Sequence, residues 1–168
     1  MSNRTRFAAA AALTIACTAG SAMPAFADHG GSHRGHKLIN THMLTGVTKA
    51  ETNVVNDRGV KGGGLPWVIS EGEISVSASG RVKMEVEGLV IDPAVPNPAV
   101  AGINPSPVFK VTVSCLDADG KATNVSTDAT PATKTGNAEL ETTIALPAVC
   151  MSPKAFVTSG GGAWFAQT

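Results

Sequence analysis

Arg81-Val82-Lys83-Met84-Glu85-Val86-Glu87 alternates charged and apolar side chains without a break. Successive side chains of a strand point to opposite faces, so this stretch puts Val82, Met84 and Val86 on one side and all four charges on the other. Wound into a helix, the same residues would scatter their apolar groups around the circumference. A ribbon with one apolar face must be covered by a second layer, and that requirement frames every other reading of the chain.

The neighbouring segments repeat the pattern. Trp67-Val68-Ile69 opens an extended run, Ile74 and Val76 alternate with Glu73, Ser75 and Ser77, and Ser79-Gly80 supplies a hairpin turn. Phe109, Val111, Val113 and Cys115 alternate with Lys110, Thr112 and Ser114, which predicts a half-buried strand with the cysteine facing inward. Asp117-Ala118-Asp119-Gly120 reads as a turn and Ala122 to Ser126 as a polar strand. Ala138, Leu140, Thr142, Ile144 and Leu146 form a further inward face; strands at Ala155 to Thr158 and Ala163 to Ala166 close the chain. Pro93, Pro96, Pro98, Pro105 and Pro107 exclude a regular central strand between Asp92 and Pro107 and predict a stiff connection from one sheet to another. About seven or eight short strands, with turn signals between them, predict an all-β fold: an antiparallel, immunoglobulin-like β-sandwich over residues 61–168. A small β-barrel is the alternative, because period-two patterning fits both.

The first 27 residues differ in kind. Arg4 and Arg6 precede an apolar run from Phe7 to Ala16, and Ala25-Phe26-Ala27 places small residues where signal peptidase accepts them. The apolar run is too short to span a bilayer, which takes about 20 residues. Residues 1–27 are therefore expected to be a cleaved secretory signal, and the mature protein to be released without a stable membrane anchor. Residues 28–60 follow as a flexible arm, rich in His and Gly at its start, with an ambiguous stretch from Leu38 to Thr52.

Removing the signal changes two counts. Without Arg4 and Arg6 the 13 basic groups fall to 11 against 13 acidic ones, a charge of about −2, so there is no basic surplus for nucleic acid. Without Cys17 the cysteines become an even pair, Cys115 and Cys150, which in an exported protein predicts a disulfide. The pairing loosely resembles the inter-sheet staple of immunoglobulin-type domains, with the tryptophans placed elsewhere.

Few residue sets point to chemistry. His29, His33 and His36, with His42 beyond, form a tract whose imidazoles suit copper or zinc, in a glycine-rich setting that fixes no geometry. A hydrolytic Ser-His or Cys-His pair needs a histidine on the scaffold, and none follows His42. Glu71/Glu73, Glu85/Glu87 and Glu139/Glu141 each share one strand face, as solvated side chains do, rather than facing each other across a cleft. Asp117-x-Asp119-Gly120 lacks the later glutamate of a calcium loop. Gly62-Gly63-Gly64 and Gly160-Gly161-Gly162 each precede a tryptophan, Trp67 and Trp164. The two are expected either in the core or as an aromatic pair presented to a ligand.

The run GGGLPWVISEGEISVSASGRVKMEVEGLVID, the segment NPSPVFKVTVSCLDADG and the closing GGGAWFAQ resemble a group of exported, strand-rich proteins of high-GC, actinobacterial-type bacteria to which no activity is assigned. The similarity spans Gly62 to the C-terminus and rests on strand and turn motifs, so it implies fold and no chemistry. The expectation is a secreted, non-enzymatic protein without a cofactor. It would act in surface recognition of an extracellular protein or glycan, or as a structural component. The alternative is extracytoplasmic copper or zinc binding through the His tail.

Overall fold

A computed structural model describes residues 36–168. The fold is all-β and antiparallel, with two main sheets packed face to face and neither closed into a barrel. Of the twelve strands among the described residues, eight have four residues or more, and the others are two-residue pieces.

The first sheet is built on the hairpin of β4 (Glu71–Ser77) and β5 (Arg81–Glu87), flanked by β1 (Lys37–Thr41) and β10 (Ala138–Thr143) in the order β1-β4-β5-β10. The alternation in β5 is realised in full: Val82, Met84 and Val86 are buried and their charged neighbours exposed. Ile74 and Val76 of β4 join them inside. The turn falls at Ser79-Gly80, where the Gly80 amide donates to the Ser77 carbonyl.

The second sheet runs β2 (Thr45–Gly46), β12 (Trp164–Gln167), β11 (Met151–Ser159), β7 (Val108–Leu116), β8 (Ala122–Ser126), with β9 (Thr130–Pro131) also on β7. Phe109, Val111, Val113, Cys115, Ala155 and Val157 fill its inner face, all with no exposed surface. The proline-rich stretch after Asp92 does carry the chain from one sheet to another, from β6 (Val90–Ile91) in a small two-stranded sheet to β7 in the second main sheet.

β7 is not half-buried. Thr112 and Ser114, on its opposite face, are buried as well, as are Phe156, Thr158 and Trp164 beside them. The cover is a small hairpin from Asn53 to Gly63, closed by Asn53 N–H to Gly63 O and Gly62 N–H to Val54 O. Its tip reaches across the sheet, where Asn124 Nδ2 of β8 donates to the Arg58 carbonyl. Hydroxyl pairs satisfy part of the covered polar face, since Thr112 bonds both Ser126 and Thr158, while Ser114 Oγ is buried without a partner.

The expected flexible arm therefore needs correction. Residues from Lys37 onward belong to the folded unit: β1 pairs with β4, β2 pairs with β12, and Val47 is fully buried. Short pairings of this kind leave no periodicity to read. Residues 1–35, with the signal segment and most of the His tract, lie outside the described residues.

One corner connects the layers. The pair β3 (Trp67–Val68) and β6 continues the β4–β5 hairpin in the same register, broken only around Ser70 and Gly88. Gly88 sits at φ 64°, a left-handed conformation that favours glycine. Past this bend, the Trp67 amide donates to the Val47 carbonyl, and the Val47 amide donates to Phe165 in β12. A strand that bends from one sheet toward the other is a known way to make a sandwich corner.

Candidate functional site

Two surface features are built from more than one element. The larger is a groove of about 890 Å³ at the corner, walled by Gly46–Thr52 on one side and by Leu65–Val68 and Asp92–Pro96 on the other. Leu65, Pro66, Val68, Ala94, Val95 and Pro96 give it an apolar lining, with Lys49 and Asp92 as charged lining residues. Hydrogen bonds hold the walls: Trp67 N–H to Val47 O, Asp92 N–H to Pro66 O and Val95 N–H to Asp92 O. Val68 is 38% exposed. The groove is thus a preformed apolar cleft on paired backbone, the usual character of a recognition site.

Of the two tryptophans, Trp67 is among the residues lining the groove and Trp164 is not, so they do not face it as a pair. Trp67 is 5% exposed and Trp164 1%. Trp67 stacks on Phe165 with ring centroids 3.9 Å apart, and Trp164 packs against Phe156 at 5.9 Å. Their segments do lie together, since the Gly63 amide donates to the Trp164 carbonyl. Both are core residues by burial, and of the two only Trp67 borders the groove. The two glycine runs also have different jobs. A Cβ on Gly62 would sit 2.2 Å from the Glu51 carbonyl oxygen, so close backbone approach demands glycine there. Gly160-Gly161-Gly162 forms the turn between β11 and β12.

The second feature is electrostatic. Register aligns Glu73, Glu85 and Glu139 across three adjacent strands, and Glu71 faces Glu87 in a parallel row. All project from the outer face of the first sheet, lining shallow depressions there, the larger about 350 Å³. His42 reaches this row, its Nδ1 lying 3.2 Å from Glu73 Oε2. The sequence placed these carboxylates on the solvated face correctly. Their alignment into rows depends on strand order, which i, i+2 spacing does not encode.

Cys115 and Cys150 form a disulfide, with Cα atoms 4.5 Å apart. It joins β7 to the residue preceding β11, neighbours within one sheet, so it is a lateral clasp and not a bridge between layers. A disulfide of this kind fits an oxidising compartment. Of the metal-candidate histidines, His36 is exposed and its carbonyl accepts from the Ala78 amide; His29 and His33 lie outside the described residues. Among the described residues no three His, Cys, Asp or Glu side chains converge as a metal would need.

Sequence reasoning missed the groove because its walls are loops joined at a corner; the only local signals were Leu65-Pro66 and the prolines after Asp92. Compared with protein-family models, curated proteins and solved structures, the chain matches none.

Proposed function

We propose that this is a secreted, non-enzymatic recognition protein that holds an apolar segment of an extracellular protein in the corner groove. The supporting observation is the groove itself: a cleft of about 890 Å³ lined by Leu65, Pro66, Val68, Ala94, Val95 and Pro96, formed by hydrogen-bonded backbone. Apolar anchors seated in such clefts supply most of the energy in protein recognition. A protein partner is favoured over a glycan because the adjacent indole, Trp67, is buried under Phe165 and offers no stacking face to a sugar ring. The disulfide and the signal-like first 27 residues support export; N-terminal sequencing of the secreted form should find Asp28 first.

The test is selection of phage-displayed peptides on the mature protein, followed by hydrogen-exchange footprinting. The expected footprint covers the amides of Thr48, Val68 and Val95, and binding weakens at least tenfold in Val68→Asp, a change at a partly exposed position. Selected peptides that ignore the groove would overturn the reading. So would turnover in a broad hydrolase screen that a single change at a described residue abolishes.

A further inference from the structure

Strand β10 ends the first sheet, and its outer edge pairs with no other described strand. The Ile144 amide donates to the Gly80 carbonyl, so by antiparallel alternation the even-numbered residues of β10 bond to β5 and Glu139, Glu141 and Thr143 turn their backbone groups outward. One of these is occupied: the Glu139 carbonyl accepts from Thr130 Oγ1. β9 lies against that end of the edge, and the open template of donors and acceptors runs over Glu141 and Thr143.

Natural edges carry devices that discourage pairing. β1, at the other edge of this sheet, carries Lys37 and a register break between Lys37 and Ile39. β10 has neither: its six residues pair with β5 in unbroken register and include no proline or lysine. It also presents chemistry on both faces. Leu140, Ile144 and Leu146 are only partly buried, leaving an apolar shelf at the rim of the core. Glu139 and Glu141 project from the outer face, where Glu139 extends the row of Glu73 and Glu85 to the edge.

We propose that this edge accepts an extended segment of a partner polypeptide in which basic residues alternate with apolar ones. Added antiparallel or parallel to β10, such a segment completes the outward hydrogen bonds. Its apolar side chains fall beside Leu140 and Ile144, and its cations sit beside Glu139 and Glu141. A cation beside Glu139 also relieves the row of like charges it shares with Glu85 and Glu73, which has no cation of β5 at that level, whereas Glu141 already faces Lys83 and lies 3.9 Å from Arg81. A second copy of this chain is a poor occupant, because antiparallel β10–β10 pairing would oppose glutamate to glutamate. The site is separate from the corner groove, whose lining includes no residue of β10.

The test uses a soluble, end-blocked peptide alternating lysine with valine. One alternating glutamate with valine and a shuffled lysine–valine peptide serve as controls. Only the alternating basic peptide should bind, and it should slow amide exchange at Glu141 and Thr143. Glu141→Pro removes an outward N–H and no bond to β5, so it should leave the fold intact and weaken binding at least tenfold. Glu139→Lys combined with Glu141→Lys keeps the backbone edge and should reverse the preference toward the acidic peptide, which tests the proposal even where the proline variant fails to fold. Equal binding by the shuffled peptide, protection confined to other amides, no binding of the alternating basic peptide, or unchanged preference in the double lysine variant would overturn the proposal. So would a wild-type dimer that Glu141→Pro splits, since the occupant would then be a second copy.

Discussion

Glu85→Gln should stabilise this protein, and the gain should fade with salt. Glu85 is the middle of three aligned carboxylates, directly opposite Glu73 on one side and Glu139 on the other. Directly opposed side chains stand about 5 Å apart, and two like unit charges at that distance in water repel by about 0.8 kcal/mol. Ionic strength of about 0.15 M roughly halves this. Along its own strand Glu85 has Lys83 two residues one way and Glu87 two residues the other, contributions that cancel to first order. Removing two opposed repulsions then yields about 0.8 kcal/mol at physiological salt and less than about 0.3 kcal/mol at 1 M. Glu87→Gln is the internal comparison: it loses the opposed repulsion of Glu71 and the weaker one of Glu85 two residues along, which no cation offsets, so its gain should be slightly smaller than that of Glu85→Gln. Urea unfolding followed by tryptophan emission at low, physiological and high NaCl measures all three proteins. A destabilised Glu85→Gln variant, or a gain that does not shrink with salt, would refute both the register of this sheet and the charge argument resting on it.

Four further outcomes follow from packing and from the cross-link. Gly62→Ala should destabilise by more than about 2 kcal/mol, because its Cβ meets the Glu51 carbonyl, whereas Gly64→Ala, with nothing within 4 Å, should change unfolding free energy by less than about 0.5 kcal/mol. Phe165→Ala removes the ring stacked on Trp67 and edge-on to Phe109, and should cost about 3–5 kcal/mol by chemical denaturation. Replacing Cys115 and Cys150 with alanine opens a loop whose ends are 35 residues apart, worth about 4 kcal/mol of unfolded-chain entropy; calorimetry should show a lower Tm with the strand content retained in the far-ultraviolet spectrum. Native tryptophan emission should be blue-shifted and resist iodide, since both indoles are buried.

The sandwich was legible wherever one face of a strand meets the core and the other meets water. β5 is the clearest case, and its exposed and buried residues follow the sequence residue by residue. The disulfide was legible from counting cysteines, though not its position within a single sheet. β7 misled because Thr112 and Ser114 look solvated in sequence, while in space the Asn53–Gly63 hairpin covers them, Thr112 bonded to neighbouring hydroxyls and Ser114 Oγ buried without a partner. Residues Lys37 to Gly46 misled for a different reason: pairings a few residues long, one with a bulge, carry too little pattern to separate strand from loop. The groove and the glutamate rows were out of reach because both depend on which strands become neighbours, and that is decided by contacts distant along the chain.

The bend at Ser70 and Gly88 has a mechanical consequence. One hairpin contributes β4 and β5 to the first layer and continues as the two-stranded sheet β3-β6, which is bonded to the second layer through Trp67 N–H to Val47 O and Val47 N–H to Phe165 O, so neither layer can peel away while that hairpin stays zipped. Sandwiches joined only by loops can lose an edge or slide one sheet over the other at small cost. Here such slippage would have to break the shared ladder first, and the two layers are tied into a single cooperative block. Amides in the middle of β5 and in the middle of β11 should accordingly exchange through the same global opening, with matching free energies.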